Sequence, residues 1–281
     1  MLTDFLASWP LFLHTYLTGW LMAVLLSMLG VYVVARDQIF VGAAIAQAST
    51  LGIAFSMVAA AGWPFLHRHG GLDGGTVMAV LCATLAAWIM SLSFGRRESQ
   101  EAVAAWIFLA GGSLSVLLVA HSPHGLDEIQ RLASSSLIGA TARDSVWFGL
   151  MATLTALLLG WHRRRIILLA VDPAMAAAVG LRVRGWSAGL ALWLGLAVGL
   201  SIRSAGLLYT FGCLVLPALT AKALAREIAP LFLLAPALAL LTALAGFMLA
   251  HHYDFPPAQG TVGLQVALLA LCWLGRGRRR A

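Results

Sequence analysis

Nine largely apolar stretches follow one another through the chain, at residues 11–34, 39–62, 75–93, 102–120, 146–161, 186–202, 205–224, 231–250 and 260–274. A run of ~20 apolar residues matches the thickness of a bilayer's hydrocarbon core. Within lipid only an element that satisfies its own backbone is tolerated, so each stretch is expected to be a helix. The residue-by-residue alternation of a membrane barrel is absent. Only 10% of the 281 residues are charged and 61% are apolar, whereas soluble domains carry about 25% charged residues. A water-facing surface cannot be built from this composition, which excludes a soluble enzyme. The expected fold class is an all-α integral membrane protein with eight to nine transmembrane helices, eight if one stretch is re-entrant. No low-complexity linker divides the chain, so residues 1–281 are expected to form a single transmembrane domain.

The basic residues set an orientation. With nine spans and the N-terminus outside, fourteen of the eighteen Lys and Arg residues fall in inner segments. Only Arg68, Arg131, Arg143 and Arg203 fall outside. Cytoplasmic loops carry such an excess of positive charge, so the C-terminus is expected inside. The net charge of +7 is thereby spread over inner segments, and no nucleic-acid partner is expected. No Lys or Arg precedes Arg36, so the basic start of a cleavable signal is missing and the first stretch is expected to be retained. Cys82, Cys213 and Cys272 all lie in apolar stretches, with neither metal-ligand spacing nor a disulfide pattern.

Two connections are longer than simple loops. The outer one, 121–145, contains an apolar patch at 132–140 that fits a short helix lying at the interface or dipping into the membrane. The inner one, 162–185, opens with Arg163, Arg164 and Arg165. It continues with Asp172 as a helix N-cap, Pro173 as the first helical residue and Gly180 as the C-terminal stop. His67, His69, His121, His124, His251 and His252 fall in outer loops, as ordinary polar residues or as groups that capture metal.

Several chemistries are absent. The sole lysine, Lys222, follows Ala221, so no Gly-Lys-[Ser/Thr] phosphate loop exists. No His-Glu-x-x-His zinc motif is present. Transport, not catalysis, is the class that remains.

What is present lies mainly in two spans. In the second, small residues surround Gln47 and Thr50, which are three apart and share a helix face with Ala43. An intramembrane Gln either faces a wet path or makes an interhelical hydrogen bond. In the seventh, Pro217 is expected to kink or break the helix. The segment that follows is short, amphipathic and basic, with Lys222 and Arg226. It reads either as a surface helix or as the snorkelling end of a kinked span. His251, His252 and Asp254 stand together near the outer end of the eighth span. They read as a divalent-cation loading site, or as solvated histidines beside a carboxylate that caps the last helix.

Three stretches together resemble the permease subunits of metal-type ABC importers, which take up zinc, manganese or iron. They are Gly42 to Gly52, Ala205-Gly206-Leu207-Leu208 through Leu216-Pro217-Ala218-Leu219-Thr220-Ala221, and Tyr253-Asp254-Phe255-Pro256 followed by Gly260. Asp172-Pro173 to Gly180 and Leu137-Ile138-Gly139 match more weakly, and the resemblance runs from about Leu17 to Leu274. It implies a non-enzymatic permease in a bacterial cytoplasmic membrane that binds no cofactor itself. ATP would be used by a partner ABC subunit, and a divalent metal would be the substrate. A second permease, alike or different, and an extracytoplasmic metal-binding protein would complete the assembly, with membrane lipid around it. Pro217, Ala218, Thr220, Ala221, Lys222 and Arg226 would couple to the ATPase, with the helix at 172–180 beside them. Gln47 and Thr50 would line the path.

The family's second-span motif carries an Asp and a His one helical turn apart. Here Ala43 and Gln47 stand at those positions. A carboxylate and an imidazole bind zinc or manganese well, whereas alanine binds nothing and an amide oxygen binds zinc weakly. The resemblance therefore leaves open a metal chelate, a non-metal substrate, or a companion permease that supplies the ligands.

Overall fold

The computed structural model describes residues 2–62, 74–92, 99–120, 127, 129–130, 137, 140–225 and 227–277. Among them the chain forms nine helices: α1 (Leu2–Ala35), α2 (Ile39–Gly62), α3 (Gly74–Leu92), α4 (Gln100–Val119), α5 (Ala142–Val171), α6 (Pro173–Ala178), α7 (Val183–Leu224), α8 (Leu231–Tyr253) and α9 (Pro257–Gly277). All but α6 are long and apolar enough to cross a membrane, which gives eight candidate spans.

The difference from nine stretches lies in α7. At ~1.5 Å per residue its 42 residues would run about 63 Å if straight, twice the ~30 Å core. Gly206 interrupts it with φ 78 and ψ 178, a conformation open to glycine and closed to nearly every other residue. The sixth and seventh stretches are therefore contained in one element with a glycine break. Pro217 does not break it, and the helix runs on to Leu224. The proline removes one backbone donor, but Ala218, Ala221 and Ala223 around it are buried, and this packing holds the helix through that loss.

The chain clusters into two compact units. One comprises Met1–Asp37, Ser135–Val171 and Leu208–Ala281, hence α1, α5, the second part of α7, α8 and α9. Here α1 packs on α5 and α8, and α8 packs on α9. Thr18 and Ser145 link α1 to α5 through their hydroxyls at 2.8 Å. The buried Tyr209 hydroxyl donates to the Gly19 carbonyl at 2.8 Å. Lys222 Nζ lies 2.8 Å from Asp37 Oδ1 and also donates to the Val34 carbonyl at 3.3 Å, which ties the end of α7 to the end of α1. Helices in lipid gain little from the hydrophobic effect, so close packing and such polar links carry the association.

The other unit comprises Gln38–Ser134 and Asp172–Leu207, hence α2, α3, α4, α6 and the first part of α7. There α2 packs on both α3 and α4. Gln38 hydrogen-bonds Gln100 at the start of α4, and Gln100 donates to the Met90 carbonyl of α3 at 3.2 Å.

The connection expected at 162–185 is shorter than its sequence suggests. α5 continues to Val171 after a local departure at His162 (φ −103, ψ 16). Burial of Ile166, Leu169 and Ala170 at helical spacing explains the continuation. The outer patch at 132–140 lies mostly outside the described residues, as do His67, His69, His121, His124 and Arg226. Leu137 within that patch is fully buried.

Candidate substrate path and docking surface

On α2 the partly exposed positions include Phe40, Ala43, Gln47, Leu51, Phe55 and Val58, while Ala44, Ile45, Ala46, Ala48, Ser49 and Thr50 are buried. Gln47 is thus a lone amide on an otherwise apolar stripe. It faces α4, where Gly111 and Gly112 leave room for it. A Cβ at Gly111 would stand 2.9 Å from the Gln47 carbonyl carbon, and one at Gly112 would stand 3.5 Å from Gln47 Oε1. Among the described residues no hydrogen bond of the Gln47 amide is formed, so its donors and acceptor stay open to another partner.

Thr50 behaves differently. It is buried, and its hydroxyl donates to the Ala46 carbonyl at 3.1 Å within the same helix. Ala43 remains partly exposed one turn before Gln47. The open pair on this face is therefore Ala43 with Gln47, and Thr50 is turned into the packing.

At the C-terminal end of α8, Asp254 takes a left-handed conformation (φ 54), and its backbone N–H closes the helix on the Ala250 carbonyl. The residue caps the helix it follows, not the one ahead, which corrects the capping expectation above. His252 and Tyr253 rings meet edge to face at 4.8 Å, and Tyr253 stacks with Phe255 at 5.8 Å. Among the described residues no three His, Cys, Asp or Glu side chains converge as a metal cage would require.

Of the expected coupling residues, Ala218, Thr220 and Ala221 are buried inside the helical run, and Thr220 donates to the Leu216 carbonyl at 2.8 Å. They form no separate surface helix; among the described coupling residues only Lys222 reaches out, toward Asp37. By contrast α6 takes the form its sequence suggests. Asp172 Oδ1 accepts from the Met175 N–H at 2.9 Å, and Gly180 (φ 83) ends the turn, its N–H bonded to Ala177 and that of Leu181 to Ala176. Only Ala176 of α6 is buried, whereas Met175 is 58% and Val179 64% exposed. A cleft of about 730 Å³ runs beside it, lined by Asp172, Ala174, Ala177, Arg182 and Arg184 among others.

The sequence reading did not single out Gln265. It is fully buried in α9, and its amide nitrogen donates to Thr242 Oγ1 at 3.3 Å and approaches Cys213 Sγ at 3.6 Å. Its signal was the one that marked Gln47, an amide within an apolar span.

Eight apolar helices, a polar side chain on an intramembrane stripe and a capped, exposed polar-flanked helix define a multi-pass membrane transport protein. The chain belongs to the ABC 3 transport family, whose model matches residues 8–275. It is a permease component, not an enzyme. Similar proteins include the high-affinity zinc uptake system membrane protein ZnuB of Haemophilus influenzae, 22% identical over 93% of this chain and 96% of that one. The manganese import system permease protein ScaB of Streptococcus parasanguinis is 24% identical over 90% of this chain and 88% of its own length. Among solved structures, PsaBC from Streptococcus pneumoniae in complex with Fab shares the fold with a TM-score of 0.79 at 17% identity, covering 97% of this chain and 95% of that chain.

Proposed function

We propose that this chain is the membrane-spanning permease subunit of an importer that moves a divalent metal ion, zinc or manganese, across the bacterial cytoplasmic membrane. The family match over residues 8–275 carries this reading, supported by relatives named for zinc and manganese uptake. Transport would be driven by a separate ATP-binding subunit, with an extracytoplasmic binding protein and a second permease completing the assembly. The chain would bind no cofactor of its own, and residues 1–281 would act as one permease domain.

Ala43 and Gln47 favour a second reading, in which the same fold carries a metal chelate or a non-metal substrate. Gln47 would touch the passing species through its open amide, and Thr50 would support the helix from behind. His251, His252 and Asp254 would serve at most as a transient outer contact. Docking of the ATPase would fall on the exposed α6 and its cleft, and Lys222 and Arg226 would take part in coupling. Pro217, Ala218, Thr220 and Ala221 would transmit motion through packing. The N-terminus would lie outside and the C-terminus inside. The two parts of α7 on either side of Gly206, 183–205 and 207–224, each fall within the ~17–25 residues of a crossing.

The test compares cellular zinc, manganese and iron in strains with and without the gene, each metal supplied free or as a chelate. Loss of free zinc or manganese uptake is expected. Loss confined to a chelate selects the second reading, and unchanged uptake of every species refutes both.

A further inference from the structure

The triple arginine has no task in the reading above. Along the outward side of α5, Leu150, Leu154, Leu157 and Trp161 are exposed, and Trp161, at 87%, is the most exposed large apolar side chain among the described residues. Tryptophan in this setting sits where hydrocarbon gives way to headgroups. At the next residue, His162, the helix departs from regular geometry, and Arg163, Arg164 and Arg165 follow directly. These arginines stand on an ordered element, because Ile166, Leu169 and Ala170 hold the continuing helix against its unit.

The three are not equivalent. Arg163 Nη2 donates to the Ala229 carbonyl at 2.9 Å, which fixes the turn before α8. Arg164 and Arg165 are exposed and make no hydrogen bond or ion pair among the described residues. They lie three and four positions beyond Trp161, just past the break at His162, so they stand within about one helical turn of it along the chain. The only acid within α5 is Asp144, at its far end. Along the chain α5 thus passes from exposed leucines to tryptophan to two exposed guanidinium groups without a partner among the described residues.

We propose that Trp161, Arg164 and Arg165 form a binding site for an anionic phospholipid. The two guanidinium groups hold the headgroup phosphodiester, and an acyl chain lies along Trp161, Leu157 and Leu154. Guanidinium presents paired donors that fit phosphate oxygens, and it sheds water more readily than an ammonium group. Each basic residue at a membrane surface enriches anionic lipid about fivefold. Charge complementarity and continuity with the lipid-facing leucines select a lipid over an acidic protein surface as the occupant.

The full-length permease is placed in vesicles of phosphatidylcholine and phosphatidylglycerol in equal amounts, with bromine on the acyl chains of one lipid or the other. The difference in emission between wild type and W161F isolates Trp161. Brominated phosphatidylglycerol should quench it roughly twofold or more above brominated phosphatidylcholine. R164Q/R165Q should remove the excess, R164K/R165K should keep part of it, and R163Q should leave it in place. High salt should diminish it. Equal quenching by the two lipids in the wild type overturns the proposal, as does an excess that survives R164Q/R165Q. Equal quenching together with loss of ATP-binding-subunit co-purification in R164Q/R165Q would assign the arginines to protein docking.

Discussion

Substituting alanine at Gly111 and at Gly112, one residue apart, should have opposite effects. At Gly111 the new Cβ would meet only backbone of α2: the Gln47 carbon at 2.9 Å, its oxygen at 3.0 Å and the Ala48 nitrogen at 3.1 Å. No rotamer change relieves this, so α2 and α4 must separate by about 0.6 Å to reach the ~3.5 Å at which two carbons stop repelling. Overpacking of this kind costs about 1–3 kcal/mol. Alanine gains back about 1 kcal/mol of helix propensity, which leaves a net loss of up to about 2 kcal/mol. At Gly112 the Cβ meets Gln47 Oε1 at 3.5 Å and Cδ at 3.7 Å, the ordinary contacts of a flexible side chain. The propensity gain of about 1 kcal/mol then stands almost alone. Thermal unfolding of the detergent-solubilised protein reads the difference, at roughly 2–4 °C per kcal/mol. Gly111→Ala should melt several degrees lower than wild type, and Gly112→Ala at or slightly above it. Equal melting of the two variants, or the reverse order, would refute the close approach of α4 to Gln47.

Three further outcomes are expected. In a background without Cys82, Cys213 and Cys272, Gln47→Cys should react with a small polar thiol reagent, and Thr50→Cys should not; equal labelling of both would remove the distinction drawn from their burial. Asp172→Ala should cost α6 about 1 kcal/mol of capping and lower ATPase stimulation by the permease, while membrane insertion is unchanged; normal stimulation would place docking elsewhere. A cytoplasmic reporter fused after Ala281 should be active, and a periplasmic one silent; the opposite result would reverse the proposed topology.

Much of the fold was legible because lipid imposes length. Stretches near 20 apolar residues had to be helices, and their positions needed no tertiary knowledge. α6 was legible for another reason: Asp172, Pro173 and Gly180 act through local geometry alone. The errors arose where packing decides. Pro217 reads as either a kink or a break, and buried neighbours decide against the break. His162 reads as the start of a loop, yet Ile166 and Leu169 bury the turn that follows. Gln47 and Thr50 share a spacing, but only coordinates reveal that the threonine hydroxyl is occupied by its own helix. Gln265 escaped notice because its importance lies in what surrounds it, Cys213 and Thr242 from other helices.

The pairing of Lys222 with Asp37 has a practical consequence. Lys222 is the only lysine among the 281 residues, so an amine-directed dye or spin label meets a single ε-amino group. That group sits at the end of α7 with its charge against a carboxylate 2.8 Å away. Acylation erases the charge and hence the pair, whereas reductive methylation keeps the charge. The two chemistries applied to the unmutated protein would report on this junction during turnover, with no engineered attachment point.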